Sequence, residues 1–418
     1  MNRILFSALF VACTAFAQPV SWAFETTPIS STIAGDPAFI FQPTPAPQGT
    51  SFIVGTDRVN NGLYLWPPTP GVLPSVFQLG IFSSADSRGA LLVAVSQGTN
   101  SLSVFALVNG GLVQFDSQNF NISSPRHVAL RQTPAGEFEV IVDNGTLTVD
   151  RYQLTFLPAG RVGLNPLPSI PVVETPSGLA VDDRSGTIYI AQPSRGVMVA
   201  TPPMNAQFLV SIDAGQLGTA VGGVDLYQAA DGRAFVMTTA PNEGTVNVHD
   251  KTGAFLATLS FTGDGGQTIR AEELDVFEPA TPDFPRGVLV LQDALGGNYK
   301  IVSLEAVNAV FPLPAPFVPT PINVDGGVSV DGGQASDAGQ SDGGSDGGTP
   351  DGGVDGGPTG GGTGGGTGGT GGGIGGFAGG PPASANPIGS SCGCTGGPFA
   401  LLPALLSLWF VRRRRTDP

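Results

Sequence analysis

Between Asp36 and Leu304 apolar and polar residues alternate in short runs, and Gly, Pro, Asn and Asp break the runs apart. Period-two alternation bounded by such residues predicts β-strands, and helical periodicity is nearly absent. Gly178 to Val199, reading GLAVDDRSGTIYIAQPSRGVMV, shows the unit plainly: a strand, a tight turn in which Asp182 and Asp183 act as turn-formers, and a second strand after Gly186. Similar pairs recur at Phe52 to Trp66, Leu91 to Leu107, Phe138 to Leu154, Val224 to His249 and Leu274 to Leu304. The spacing of roughly 45 residues is that of a four-stranded propeller blade. The chain therefore predicts an all-β, six-bladed β-propeller. A two-sheet sandwich is the rival, but it would struggle to place around 280 residues in one core.

Composition changes this picture at the two ends. Met1-Asn2-Arg3 and the apolar run Ile4 to Phe16 read as a secretory signal over residues 1–17, with cleavage as late as Ala23 the other option and a buried helix the structural alternative. The propeller is then expected over 24–312. Residues 313–391 turn Pro-rich, then Asp-Gly-Gly-rich, then almost pure Gly and Thr, and predict a disordered linker, because nothing there can bury a core. About 70 such residues hold their ends some 45 Å apart as a coil. The nine-residue period of a calcium roll is missing. Residues 392–418 combine Cys392-Gly393-Cys394, the apolar run Phe399 to Val411 and Arg412 to Arg415. A helix over the apolar run spans about 21 Å, short of a hydrocarbon core near 30 Å. The order resembles the Cys, short hydrophobic helix and Arg-cluster tails of myxobacterial surface proteins. That resemblance implies a sorting protease as partner, retention of a processed or lipid-modified Cys392 or Cys394, and membrane attachment through the tail. A metal or redox pair is the alternative for the two cysteines. The expected location is the cell envelope or cell surface.

Charge narrows the chemistry. A formal net charge of -15 repels nucleic acid and anionic lipid, and no basic stripe overrides it. The three cysteines fall outside the propeller, so neither disulfides nor a cysteine nucleophile belong to it. His127 and His249 are the only histidines, too few for a multi-histidine zinc site, and no GxSxG motif occurs. Carboxylates near strand ends remain: Asp36, Asp57, Asp225, Glu272, Glu273, Asp275 and Asp293. Such oxygen ligands favour calcium.

Val221 to Leu304, including VGGVDLYQAADGRAFVMTTAPNEGTVNVHDKTG and AEELDVFEPATPDFPRGVLVLQDALGGNYKIVSL, resembles the last two blades of the β-propeller phytases. Asp36-Pro37-Ala38, Ile53 to Arg58 and Gly62-Leu63-Tyr64 resemble their first blade, and the Gly178 hairpin their fourth. The resemblance implies hydrolysis of phosphomonoesters such as phytate (3-phytase type) by calcium lining an acidic channel. It makes Asp36, Asp57, Glu272, Asp275 and Asp293 metal ligands, Glu272 and Asp275 catalytic, and Arg58 substrate-binding. Several positions depart from the family pattern: Gly35, Ala220 and Gly222 stand for acidic residues, Gly98 and Gly145 for basic ones, and Ser177, Gln192 and Pro193 for glutamates. Two functions follow. One is an exported, surface-anchored phosphatase acting with calcium on a phosphorylated small molecule; the other is a catalytically lapsed propeller that binds a surface ligand or serves adhesion.

Overall fold

The computed structural model describes residues 17–318, apart from 30–34, 43–48, 60–61, 79–80, 118–119, 159 and 264–265. The apolar run before Ala17, the Asp-Gly-Gly and Gly-Thr tracts, and the tail with Cys392 and Cys394 lie outside the described residues. Among the described residues no helix is long and apolar enough to cross a membrane.

Six antiparallel sheets follow one another along the chain. Their innermost strands are Ala38–Gln42, Phe82–Arg88, Val128–Gln132, Gly178–Val181, Val224–Gln228 and Ala271–Phe277, for blades one to six. Each innermost strand neighbours the next, and the sixth returns to the first, so the ring closes. In the fourth blade the expected hairpin pairs Gly178 with Ala191 and Val181 with Ile188. Asp182 makes its turn: Oδ1 accepts the Arg184 backbone N–H at 2.9 Å, and Gly186 turns the chain with φ of 69°.

The core is a set of six seams, each formed by two adjacent blades. Between blades six and one, Phe277, Val290 and Tyr299 meet Phe39, Ile53 and Trp66. Both faces of every blade are thereby covered, which explains strands such as Leu91–Ser96 that are buried at every position despite β-geometry.

Two short N-terminal strands complete the ring. Phe24–Glu25 is the outermost strand of blade six, pairing Phe24 with Ile301. Gln18–Ser21 runs parallel to the outer strand Phe255–Thr262 of blade five, and Val20, 2% exposed, packs with Leu259 and Phe261. The packed chain thus starts before residue 24. It also runs past residue 312: helix Leu304–Val310, capped by Ser303, leads to Leu313, buried in the seam of blades five and six, and to Phe317, whose N–H reaches the Gln228 carbonyl at 2.7 Å.

Candidate functional site

Because all six innermost strands start at the same end of the channel, the residues that open them form one mouth: Asp36, Ser83, His127, Ser177, Gly223 and Glu273. Arg58 reaches this mouth from the turn after Thr50–Asp57. Its Nη2 donates to Asp36 Oδ1 at 2.9 Å and stands 4.0 Å from Glu273 Oε1, while Nε donates to the Ser83 carbonyl at 3.4 Å. Burial alone would lower the Arg58 pKa, but Asp36 and Glu273 outweigh it and hold the guanidinium above its ordinary value.

His127 comes from the start of blade three. Its Nδ1 lies 3.2 Å from Oδ2 of Asp143, a fully buried carboxylate whose Oδ1 accepts the Gly145 N–H at 2.8 Å. On its other side Nε2 faces Glu273 Oε1 at 3.9 Å. Glu273 is 8% exposed and, among the described residues, accepts no hydrogen bond. Burial, then the Asp36 charge, push its carboxyl well above the usual range. Among the described residues, Asp36, His127 and Glu273 are the group whose ligand atoms all lie within 4.8 Å of one another.

The far end of the channel has a different character. Arg88 binds Asp86 Oδ1 and Asp183 Oδ2, both at 3.2 Å. Asp183 also accepts the Gln132 N–H at 3.1 Å, and Glu278 accepts the Gln228 N–H at 2.9 Å. Asp183 is therefore more than a turn residue, since it ties blades two, three and five together. Desolvation raises the pKa of Asp225 to about 7 and of Glu278 to about 8, and raises Asp275 well above its ordinary value. A cavity between the two ends is lined by Asp86, Asp225 and Asp275 among others.

Of the residues singled out in the sequence, Asp36 and Arg58 meet at the mouth. Asp57 closes its own hairpin, accepting the Val59 N–H at 2.8 Å. Asp293 is bound to Lys300 Nζ at 3.3 Å and accepts the Arg270 N–H at 3.2 Å. Glu272 is half-buried and paired with Arg270 at 3.1 Å, while Asp275 lies deeper, in the channel wall. Glu273 is one of the strand-end carboxylates of the sequence but not of the set that the resemblance implies, and His127 belongs to neither. Their shared signal is position near the start of a blade's first strand: His127 and Asp36 lie one and two residues before theirs, and Glu273 is the third residue of Ala271–Phe277.

Fold and mouth together define a six-bladed propeller with a charged cluster where its innermost strands begin. Residues 130–313, covering blades three to six, match the phytase family model, and the resemblance to β-propeller phytases holds. Crystal structures of BBS1N in complex with ARL6DN, soaked with lead and with mercury, are similar at 10% and 11% identity. They align over 64% and 60% of this chain and 78% and 73% of theirs, with TM-scores of 0.43 and 0.38.

The family is generally calcium-dependent, so the mouth can be tested for an oxygen cage. Calcium takes six to eight oxygen ligands. Two carboxylates, one imidazole and a guanidinium converge here instead. The missing acids also have no room: a Cβ at Gly35 would come within 2.2 Å of Thr56 Oγ1, and one at Gly222 within 2.3 Å of the Glu272 carbonyl. The residues present do not fit a multi-calcium centre.

Proposed function

We propose that the protein is an exported phosphatase that binds phosphorylated small molecules at the mouth of the propeller and releases inorganic phosphate. The observation that carries this reading is Arg58, held between Asp36 and Glu273 at the mouth of a propeller whose last four blades match the phytase family. A guanidinium presents a planar fork of donors that suits phosphate oxygens. In the reaction water attacks phosphorus, the P–O ester bond breaks, and the alcohol leaves with a proton. The proposed location is the cell envelope or cell surface, with attachment through the C-terminal tail, which lies outside the described residues.

The test is release of phosphate from phytate and from p-nitrophenyl phosphate by the purified full chain, with calcium, manganese or zinc added in turn. Arg58→Ala, checked for an unchanged melting temperature, is expected to lose activity at least tenfold. Release no greater than from heat-treated protein, for both esters and all three metals, would sink the reading. That outcome favours the second reading, a surface binding module, which Gly35 and Gly222 support because packing has closed the places where further acids would stand.

A further inference from the structure

His127 and Glu273 face each other at the mouth without a hydrogen bond between them. Asp143 Oδ2 lies 3.2 Å from His127 Nδ1, and with Nδ1–H donating to it Nε2 is the ring atom free to act as a ligand. Nε2 faces Glu273 Oε1 at 3.9 Å. A shared proton would draw the two atoms to hydrogen-bond distance, below about 3.2 Å. Bonds of about 2.0–2.2 Å to nitrogen and to carboxylate oxygen set two tetrahedral ligands roughly 3.4 Å apart, so side chains facing each other at this distance close onto an ion with a shift of about half an ångström. Asp36 supplies a third ligand within the same 4.8 Å group.

We infer that Asp36, Glu273 and Nε2 of His127 form a binding site for one first-row divalent transition metal of the zinc or manganese class, with calcium a poor occupant. Three features converge on it. The set holds one nitrogen and two carboxylates, and imidazole selects zinc-like ions whereas calcium is held by oxygen. Asp143 stands behind the imidazole as the partner that metal-bound histidines use to fix their tautomer. Glu273 is buried with no hydrogen bond, its Oε2 lodged beside Gly223, where an added Cβ would come within 2.5 Å. Its one cationic neighbour, the Arg58 guanidinium, stands 4.0 Å away and makes no hydrogen bond to it, so a directly bound cation would lower the cost of burying this carboxylate. Three protein ligands leave positions open for water or a phosphate oxygen next to Arg58, the arrangement of a catalytic rather than a structural metal site.

The ion rests on and deepens the proposed function, because it adds positive charge beside Arg58, whose guanidinium already faces the carboxylates of Asp36 and Glu273. Binding is nevertheless read without turnover, so the two proposals fail separately. The experiment uses the full chain with Cys392→Ser and Cys394→Ser, which removes thiolate binding outside the propeller. Cobalt(II) serves as a spectroscopic probe and zinc is titrated by calorimetry. One equivalent of cobalt is expected to produce visible absorption bands that zinc abolishes and millimolar calcium does not. His127→Ala should weaken zinc binding at least 100-fold, isosteric Glu273→Gln at least tenfold, and Asp143→Asn, which acts only through His127, about tenfold. Each variant is first checked for an unchanged melting temperature. Absence of the bands, undiminished zinc affinity in both His127→Ala and Glu273→Gln, or displacement of cobalt by an equal concentration of calcium would overturn the assignment.

Discussion

Gly35 and Gly222 stand where the phytase resemblance calls for acids, and their surroundings leave no room for a side chain at either position. The Gly35 Cα faces Thr56 Oγ1 and the Ser83 carbonyl, and the Gly222 Cα faces the Glu272 carbonyl, Thr239 and Pro241. The backbone has closed on both. Restoring the acid by Gly222→Asp should therefore destabilise the propeller by about 1–3 kcal/mol, the usual range for overpacking, without creating calcium affinity. Urea denaturation and calcium calorimetry on one variant check both halves. Asp57 and Asp293 are likewise settled by their immediate partners, the Val59 N–H and the Lys300 ammonium. A carboxylate at a strand end reads the same in sequence whether it caps a turn, pairs with a lysine or faces a channel.

At the scale of the element, alternation and turn residues made the blades legible. The hairpins at Gly178 to Val199 and Val224 to His249 fall on observed strands because a two-sided strand between two turns has few other ways to fold. The strands that close the ring were not legible. Gln18–Ser21 and Phe24–Glu25 are too short to show a period, and their partners lie more than 200 residues away in the chain, at Leu259 and Ile301. Val20 buries an apolar side chain worth about 1.5–3 kcal/mol, so deletion of residues 18–21 should lower the melting temperature by several degrees. The same strand bears on export. On the proposed export, cleavage after Ala23 would remove it and cleavage after Ala17 would keep it, so the processed form is expected to begin at Gln18 by mass spectrometry. Helix Leu304–Val310 also escaped the reading, since at seven residues it repeats its apolar spacing only once.

Across the whole molecule, the channel brings together acids from separate blades, and this sets an unusual pH dependence. Asp225 and Glu278, with folded pKa values of about 7 and 8, hold protons that the unfolded chain has already lost by pH 6. The folded state then binds more protons than the unfolded one, so stability falls as pH rises, by on the order of 1.4 kcal/mol per pH unit for each such group. Buried His249, lowered to about 4, acts in the opposite direction only below the ordinary histidine value of 6.5. The melting temperature should therefore decline between pH 6 and 8.5, and Asp225→Asn should flatten that decline. A melting temperature that rises over this range would contradict the folded-state protonation of the channel.

The sequence by itself determined the number of blades, the all-β character and the lack of cysteine in the propeller, because alternation, turn residues and composition are local properties that a chain carries before it folds. Only the tertiary structure decided which acids share a site. His127, Asp36 and Glu273 are dispersed over 238 positions and meet because ring closure stacks the starts of blades one, three and six around one channel. Charges separated in this way interact only once folding has removed the water between them.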